Sequence, residues 1–349
     1  MWEIRKRQAV IAFTKFCTLV VLCVLIMLLS ALFVSLIPQS VASKIYSRFR
    51  YTAESNTESS KTESSDTDKY DEITTIIDHT WQPVILKDDT SYEGDAIFVS
   101  SVNLSRYTKS QKPAIFIINQ TKYTINTDNC LETDIPAGSI FSDKPTVLIY
   151  HTHGTEGYAS GETYKAGDNF RTENINENVV AVGKALTEEL ERLGIRVIHD
   201  TEMYDREDYS LSYSKSKKAV KAWLAMYPSI RYCIDIHRDS VVMNEKQVKL
   251  ISEINGKNAA QIMLVVGTDE GGSSHGGWLD NFTAAVHLQN KINEMYPTLA
   301  RPIYLRTASF NQDLSPGALL IEFGSSGNTL EEAIEAAKLT AEAMAEALK

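Results

Sequence analysis

The spacing of apolar positions changes along the chain, and each change predicts a different kind of segment. The first run, FCTLVVLCVLIMLLSALFVSLI from Phe16 to Ile37, holds 22 residues without a charge. A bilayer core takes a helix of roughly 20 apolar residues, so the run predicts a transmembrane signal anchor over 16–37 behind a cytoplasmic N-terminus over 1–15. A cleaved signal peptide with a site at Ser40-Val41-Ala42 is the alternative, although its apolar core usually extends over only about 7–15 residues. Arg5, Lys6, Arg7 and Lys15 precede the run, and basic flanks tend to stay inside. The expectation is a single-pass protein of the cell membrane whose chain after Ile37 is extracytoplasmic.

After the anchor the apolar pattern disappears. YTAESNTESSKTESSDTDKYDE, from Tyr51 to Glu72, is rich in Ser, Thr and charge and nearly empty of aliphatic side chains. Such a segment buries too little surface to order itself, which predicts a disordered linker over 38–72. From 73 to 144 the apolar runs are short and strand-like, AIFVSSVNL and PAIFIINQTKYTI among them, and predict a small membrane-proximal β-rich region.

Over 145–349 strand and helix periods alternate. PTVLIYH, IRVIHD, RYCIDIH, AAQIMLVVG, RPIYLR and GALLIEFG read as strands. NENVVAVGKALTEELERLG, SLSYSKSKKAVKAWLAMYP, the stretch around Asn281 to Tyr296, and a final helix capped by Thr329-Leu330-Glu331-Glu332 read as helices. This alternation predicts a three-layer α/β/α domain with a mostly parallel sheet. In such folds ligands gather at the carboxyl ends of the strands.

Charge narrows the partners. The chain carries 35 basic and 45 acidic residues, and beyond residue 37 the count is 31 against 44, a formal charge of −13. An acidic surface of this kind excludes nucleic acid as the expected partner. Of four cysteines, Cys17 and Cys23 lie in the apolar run; Cys130 and Cys233 allow one disulfide, but Cys233 reads as plain core in an apolar strand.

The candidate chemistry stands at three strand ends: His151, His153 and Glu156 after the first, His237 on the third, and Glu322 on the penultimate element. A catalytic zinc takes three nitrogen or oxygen ligands and keeps a position open for water, and His153-x-x-Glu156 with a distant His237 has that composition. Gly154 lets the chain turn sharply between the two. A buried lone carboxylate such as Glu322 is costly unless paired or metal-linked, and beside activated water it would serve as general base and then proton donor. In IDIHRDS, Asp235, His237 and Asp239 share a strand face and Arg238 faces away; one aspartate could take the second ring N–H of a ligating histidine. His79, His199, His275 and His287 are read as structural or solvent-facing. His151 stands as an alternative ligand or a neighbour of the ligands.

The strings VLIYHTHGTEGY, NVVAVGKAL, SYSKSKKAV, YPSIRYCIDIHRDS, NGKNAAQIMLVVGTD, FNQDLSPGALLIEFG and NTLEEA occur here in order. Through them the chain, from about Pro113 to its end, resembles the stage II sporulation protein P family of membrane-anchored cell-wall hydrolases. The resemblance implies a zinc-dependent N-acetylmuramoyl-L-alanine amidase. It would act on peptidoglycan between muramic acid and L-alanine, with cross-link endopeptidase activity besides, in septal wall degradation and engulfment during endospore formation. It further implies zinc as cofactor and stage II sporulation proteins D and M as partners. By position it assigns His153 and His237 to the metal and Glu322 to catalysis, with Glu156 in the family's own His-Thr-His-x-Thr-Glu string. Glu177 competes with Glu156, since some zinc amidases place the carboxylate ligand at a helix start. The loop FNQDLSP, with Asn311 and Gln312, would line the substrate groove, and Arg238 and Asp239 would contact substrate or support the ligands. Two departures from the family pattern, Gly157 before Tyr158 and the Gly-rich DEGGSSHGGWLDN, bear on loop contacts. The rival readings are a zinc carboxypeptidase, needing Arg238 or Arg306 to hold a free carboxylate, and a non-catalytic wall-binding scaffold.

Overall fold

The alternating strands of the second half assemble into one central sheet in the computed structural model, which describes residues 84–87, 92–93, 96–105, 115–165, 167–243 and 246–349. The expected cytoplasmic segment, anchor and linker (1–15, 16–37 and 38–72) lie outside the described residues, as does His79. Among the described residues no helix is long and apolar enough to cross a membrane.

The central sheet contains β1 (Ile117–Asn119), β2 (Val147–Tyr150), β3 (Val197–His199), β4 (Tyr232–Asp239), β5 (Ile262–Gly267), β6 (Ile303–Arg306) and β7 (Gly317–Ser325). Its order is β1-β6-β5-β7-β4-β2-β3. Five of the six pairings are parallel; β5 against β7 is antiparallel. The reversal puts the carboxyl ends of β2, β4 and β7 on one edge with the beginnings of β5 and β6.

Successive strand residues face opposite sides, so each buried strand feeds two layers. Val147, Ile149, Ile234, Ile236, Leu319 and Ile321 face a layer made by α2 (Val179–Arg192), α4 (Trp278–Met295) and α5 (Leu330–Ala347), with α1 (Thr127–Glu132) at its border. Leu148, Tyr150, Cys233 and Ala318 face the other way, against Val220, Trp223 and Leu224 of α3 (Ser212–Met226). The expected three-layer α/β/α arrangement with a mostly parallel sheet is thus present. Fully buried leucines such as Leu186 and Leu190 on α2 each contribute about 1.5–3 kcal/mol to it. The helix α5 starts with the expected capping box: Glu332 N–H donates to Thr329 Oγ1 at 3.3 Å, and Thr329 N–H to Glu332 Oε2 at 3.0 Å.

Two findings correct the sequence reading. The stretch 73–144 is not a separate β-rich region: β1 extends the central sheet, Ser100–Asn103 pairs in parallel with Lys246–Ile254, and the described residues belong to one unit, Asp71–Lys349. The nine-residue strand Lys246–Ile254 itself was not foreseen. It returns through Asn255 and Gly256, both at positive φ (53° and 76°), to pair with Lys257–Ala260. Cys130 and Cys233 are both buried and free, so no disulfide joins them.

Candidate metal centre and its surroundings

Strand β2 delivers two of the candidate ligands by stopping. After Tyr150 the chain leaves the sheet, and a turn in which Glu156 N–H donates to His153 O at 3.0 Å folds the imidazole and carboxylate onto one side. Glycine at 154 answers to close packing: a Cβ there would stand 2.5 Å from Met203 Cγ and 2.9 Å from its Cα.

His237 comes from β4 and Glu322 from β7, and the two are direct cross-strand partners. Both point to the α3 side of the sheet, the side of Asp235 and Tyr150. The His237 ring meets the His153 ring edge-on, centroids 5.3 Å apart, and His237 Nδ1 lies 3.4 Å from Glu156 Oε2. The three predicted ligands and the predicted base therefore share one edge and one face. Glu177 does not join them; its side chain is exposed at the start of α2, which favours Glu156 as the carboxylate.

Carboxylates stand behind both histidines. Asp235 Oδ1 lies 3.1 Å from His237 Nε2, out of hydrogen-bond alignment, and Asp235 is fixed by Thr152, whose N–H and Oγ1 donate to it at 2.9 and 2.6 Å. Asp205 Oδ2 lies 4.0 Å from His153 Nδ1 and accepts from Thr155 Oγ1 and Arg171 Nη1, both at 2.6 Å. Arg171 Nη2 also reaches Glu156 Oε1 at 3.8 Å. The His153 ring is stacked on Tyr209, centroids 4.2 Å and planes 7° apart, with Tyr213 at its edge.

Burial sets the charge states. It lowers the pKa of His153 to about 4, helped by neighbouring His237, so that ring is neutral with a lone pair to give. It also opposes charge on His237, but Asp235 and Glu156 outweigh it and raise that pKa. Glu156 is held below the usual carboxylate range: burial raises it, and the hydrogen bond and charge of His237 overcome burial. Burial, then the charge of Asp239, pushes Glu322 up to about 8. Glu322 is half-buried as a residue, yet its Oε2 is closed off from solvent and unpaired.

Among the described residues no three His, Cys, Asp or Glu side chains already stand in metal-binding geometry. The donor set nevertheless fits zinc in kind: two imidazoles and a carboxylate, each imidazole backed by an aspartate. Three buried polar atoms of the cluster, His153 Nδ1, His237 Nε2 and Glu322 Oε2, have no hydrogen-bond partner. Unsatisfied groups of this sort cost about 1–3 kcal/mol each; the two nitrogens face Asp205 and Asp235, which leaves His153 Nε2 and His237 Nδ1 as the atoms that would reach a metal beside Glu156.

Four other expected site residues are placed differently. His151 faces α2, on the opposite side of the sheet, fully buried, with its Nε2 hydrogen-bonded to His199 Nε2 at 2.8 Å. Arg238 does face away, as expected, and its guanidinium is spent on backbone carbonyls: Nε donates to Gly157 O at 2.9 Å and Nη2 to Phe170 O at 3.1 Å. Its contribution to the centre is its backbone N–H, which donates to Glu156 Oε2 at 3.2 Å. Asn311 and Gln312 are buried and turned inward. Asn311 Nδ2 donates to Tyr213 O at 2.9 Å; Gln312 extends the edge of β5, accepting from Gly267 N–H at 2.7 Å and donating to Val265 O at 2.8 Å. A polar loop reads as exposed, and here its amides serve main-chain groups instead. Asp239 accepts from Arg301 Nη1 at 2.8 Å beside the centre. Arg306 stacks over Tyr304, 4.7 Å from its centroid, so neither proposed anchor for a free carboxylate faces the centre.

The sequence reading missed Asp205, Tyr209 and Arg171. Their signal was weak: Asp205 and Arg171 come from loops and Tyr209 from the short 3₁₀ helix Tyr209–Leu211, and their proximity to His153 is tertiary.

The model of the stage II sporulation protein P family matches residues 39–345. This chain belongs to that family. A curated member, stage II sporulation protein P of Bacillus subtilis (strain 168), is 32% identical over 225 residues, which are 60% of this chain and 53% of the relative. The chain thus spans about half the length of the curated relative it matches. Among solved structures, the CwlD amidase from Clostridioides difficile in complex with the GerS lipoprotein shares 15% identity, covering 58% of this chain and 95% of that one with a TM-score of 0.37. The N-acetylmuramoyl-L-alanine amidase AmiC2 of Nostoc punctiforme shares 16%, covering 59% and 96% with a TM-score of 0.33. At these TM-scores the two likenesses carry no further conclusion.

Proposed function

We propose that this family member is a zinc-dependent hydrolase of peptidoglycan that cleaves the amide between muramic acid and the L-alanine of the stem peptide. The observation that carries the reading is the cross-strand pair of His237 and Glu322 on the face that His153 and Glu156 enter. In it, His153, Glu156 and His237 hold the metal, which when bound supplies a Lewis acid for water and the scissile carbonyl. Glu322, raised to about 8 by burial in the metal-free chain, would be brought down by the charge of a bound cation, and as the carboxylate it takes the proton of the attacking water. It returns that proton to the departing L-alanine nitrogen. Asp235 fixes the ring of His237, while Asp205 and Arg171 support His153 and Glu156.

The carboxypeptidase alternative loses support because the guanidinium of Arg238 is already engaged. The membrane anchor over 16–37, action during endospore engulfment and cooperation with sporulation proteins D and M remain parts of this proposal that rest on the family and the apolar run. The deciding experiment incubates purified peptidoglycan with the full chain, with and without chelator, and identifies released fragments by mass spectrometry. Stem peptides free of muramic acid that vanish with chelator and return with zinc are expected; no release with zinc bound would overturn the amidase reading.

A further inference from the structure

Three cationic side chains are buried among the described residues, Arg238, Lys249 and Arg301. Two of them are paired: Arg238 with the carbonyls of Gly157 and Phe170, Lys249 with Glu162 and Glu332. Arg301, 4% exposed, makes one bond, from Nη1 to Asp239 Oδ2 at 2.8 Å, while its Nε and Nη2 are closed off from solvent and have no partner. Unmet donors on a buried cation are costly, so the site calls for a further acceptor.

Sheet order places that guanidinium. Arg301 comes just before β6, and its backbone N–H donates to Ile262 O on β5 at 2.8 Å; Asp239 ends β4. Strand β7 lies between β5 and β4, so the side-chain bond from Arg301 to Asp239 reaches across the carboxyl end of β7. Glu322 stands at that end, paired across the sheet with Met263, next to Ile262, and with His237, on the strand that Asp239 ends. Burial and the charge of Asp239 raise the pKa of its carboxyl, and the charge of Arg301 is among those that lower it, so the guanidinium is within electrostatic reach. Glu322 Oε2 is itself buried and without a partner. An acceptor without a donor thus neighbours two donors without an acceptor, and Nε–H with Nη2–H form the flat fork by which a guanidinium takes a carboxylate.

We propose that Arg301 is a positioning residue for the general base: its Nε and Nη2 edge takes Glu322 Oε2, which leaves Oε1 for the attacking water. The proposal rests on the hydrolase reading above and deepens it. Asp239 holds Arg301, Arg301 holds Glu322, and of the three only Glu322 meets the reacting atoms. Rotation about side-chain bonds makes the contact, and no proton is transferred in making it. Without Arg301 the carboxylate samples several rotamers and is aligned with the water in only some of them, which lowers kcat and leaves KM alone.

The test measures hydrolysis of soluble peptidoglycan fragments by the full chain with zinc, as wild type, Arg301→Met, Glu322→Gln and the two together. Arg301→Met should lower kcat about 100-fold with KM and zinc affinity unchanged, the scale of loss expected when a reacting group is slightly misplaced. In the Glu322→Gln background the same substitution should change kcat by less than about twofold, because residues that act as one unit are not additive. Arg301→Lys, which keeps the charge beside Asp239 without the fork, should lose kcat in the same pattern, and it carries the comparison if the methionine variant does not fold. A crystal structure of the zinc-loaded wild type should show Arg301 Nε or Nη2 within about 3.2 Å of Glu322 Oε2. A rise in KM at unchanged kcat, an equal loss in both backgrounds, no loss, or the two side chains still apart in the loaded crystal overturns the proposal. Zinc-dependent hydrolysis by wild type with any of these outcomes sinks only the role of Arg301, whereas no hydrolysis by wild type sinks the reading of the centre and this proposal with it.

Discussion

Glu322 lies beside His237 because β7 and β4 run parallel and pair those two positions, so the relation between base and ligand is set by backbone register. Glu322→Gln keeps shape and polarity but cannot carry a proton away, and turnover should fall by about 10²–10⁴, the usual worth of a general base. The same variant has a pH signature. With the folded pKa near 8 and an unfolded value near 4.5, the folded chain binds a proton that the unfolded chain releases. Stability tied to Glu322 is then fully present below about pH 4.5 and lost as pH rises through about 8. In the presence of chelator, wild type should lose melting temperature relative to Glu322→Gln over that window; parallel profiles would show that the carboxyl is not held neutral. Asp235 invites a separate substitution. Asp235→Asn removes the charge behind His237 while its Oδ1 can still accept from Thr152 N–H, and zinc affinity should drop about 10–100-fold by competition with a chromogenic chelator. Unchanged affinity would exclude Asp235 from supporting the ligand. Of these residues, His153, Glu156, His237 and Glu322 were legible because each follows an apolar run that marks a strand end. Asp205 and Tyr209 were not, because nothing local announces what a loop will fold against.

At the level of elements, the helices and strands of the second half were legible because their apolar periods are long and undisturbed. Lys246–Ile254 was missed because Lys246, Gln247, Lys249, Ser252 and Glu253 interrupt its apolar pattern. Lys249 is buried there and neutralised by Glu162 at 2.7 Å and Glu332 at 3.2 Å, a tertiary pairing invisible in one dimension. The Asn255-Gly256 pair after it was a readable hairpin signal, since that turn needs positive φ at both positions. The placement of His151 depends on a different element, α2, which presses Gly183 onto the pair formed with His199. A Cβ at 183 would stand 2.5 Å from His151 Cε1 and 2.8 Å from His199 Nε2. Gly183→Ala should therefore cost about 1–3 kcal/mol by overpacking, although alanine is the better helix former by roughly 1 kcal/mol. Denaturant titration decides the sign, and a stabilised variant would mean that the two rings have room to move aside.

For the whole molecule, the boundary that the sequence suggested between 144 and 145 is crossed by backbone and core contacts. Ile140 N–H donates to Leu348 O at 2.6 Å, near the opposite end of the chain, and Thr146 Oγ1 donates back to Ile140 O at 2.5 Å. Further out, β1 covers β6, and Gln261 binds both Leu104 N–H and the side chain of Asn103. Ile117, Ile125 and Ile140 are all buried in the main core. At about 1.5–3 kcal/mol each they contribute on the order of 5–9 kcal/mol of burial, comparable in size with the net 5–15 kcal/mol by which a typical domain is stable. A fragment starting at 145 retains every candidate ligand but loses all three and exposes the edge of β6. It should give no cooperative thermal transition by circular dichroism and should be digested rapidly by protease, whereas a fragment starting at 71 should melt as one unit. Equal melting temperatures for the two fragments would restore the boundary at 144/145 and reduce the earlier strands to an accessory.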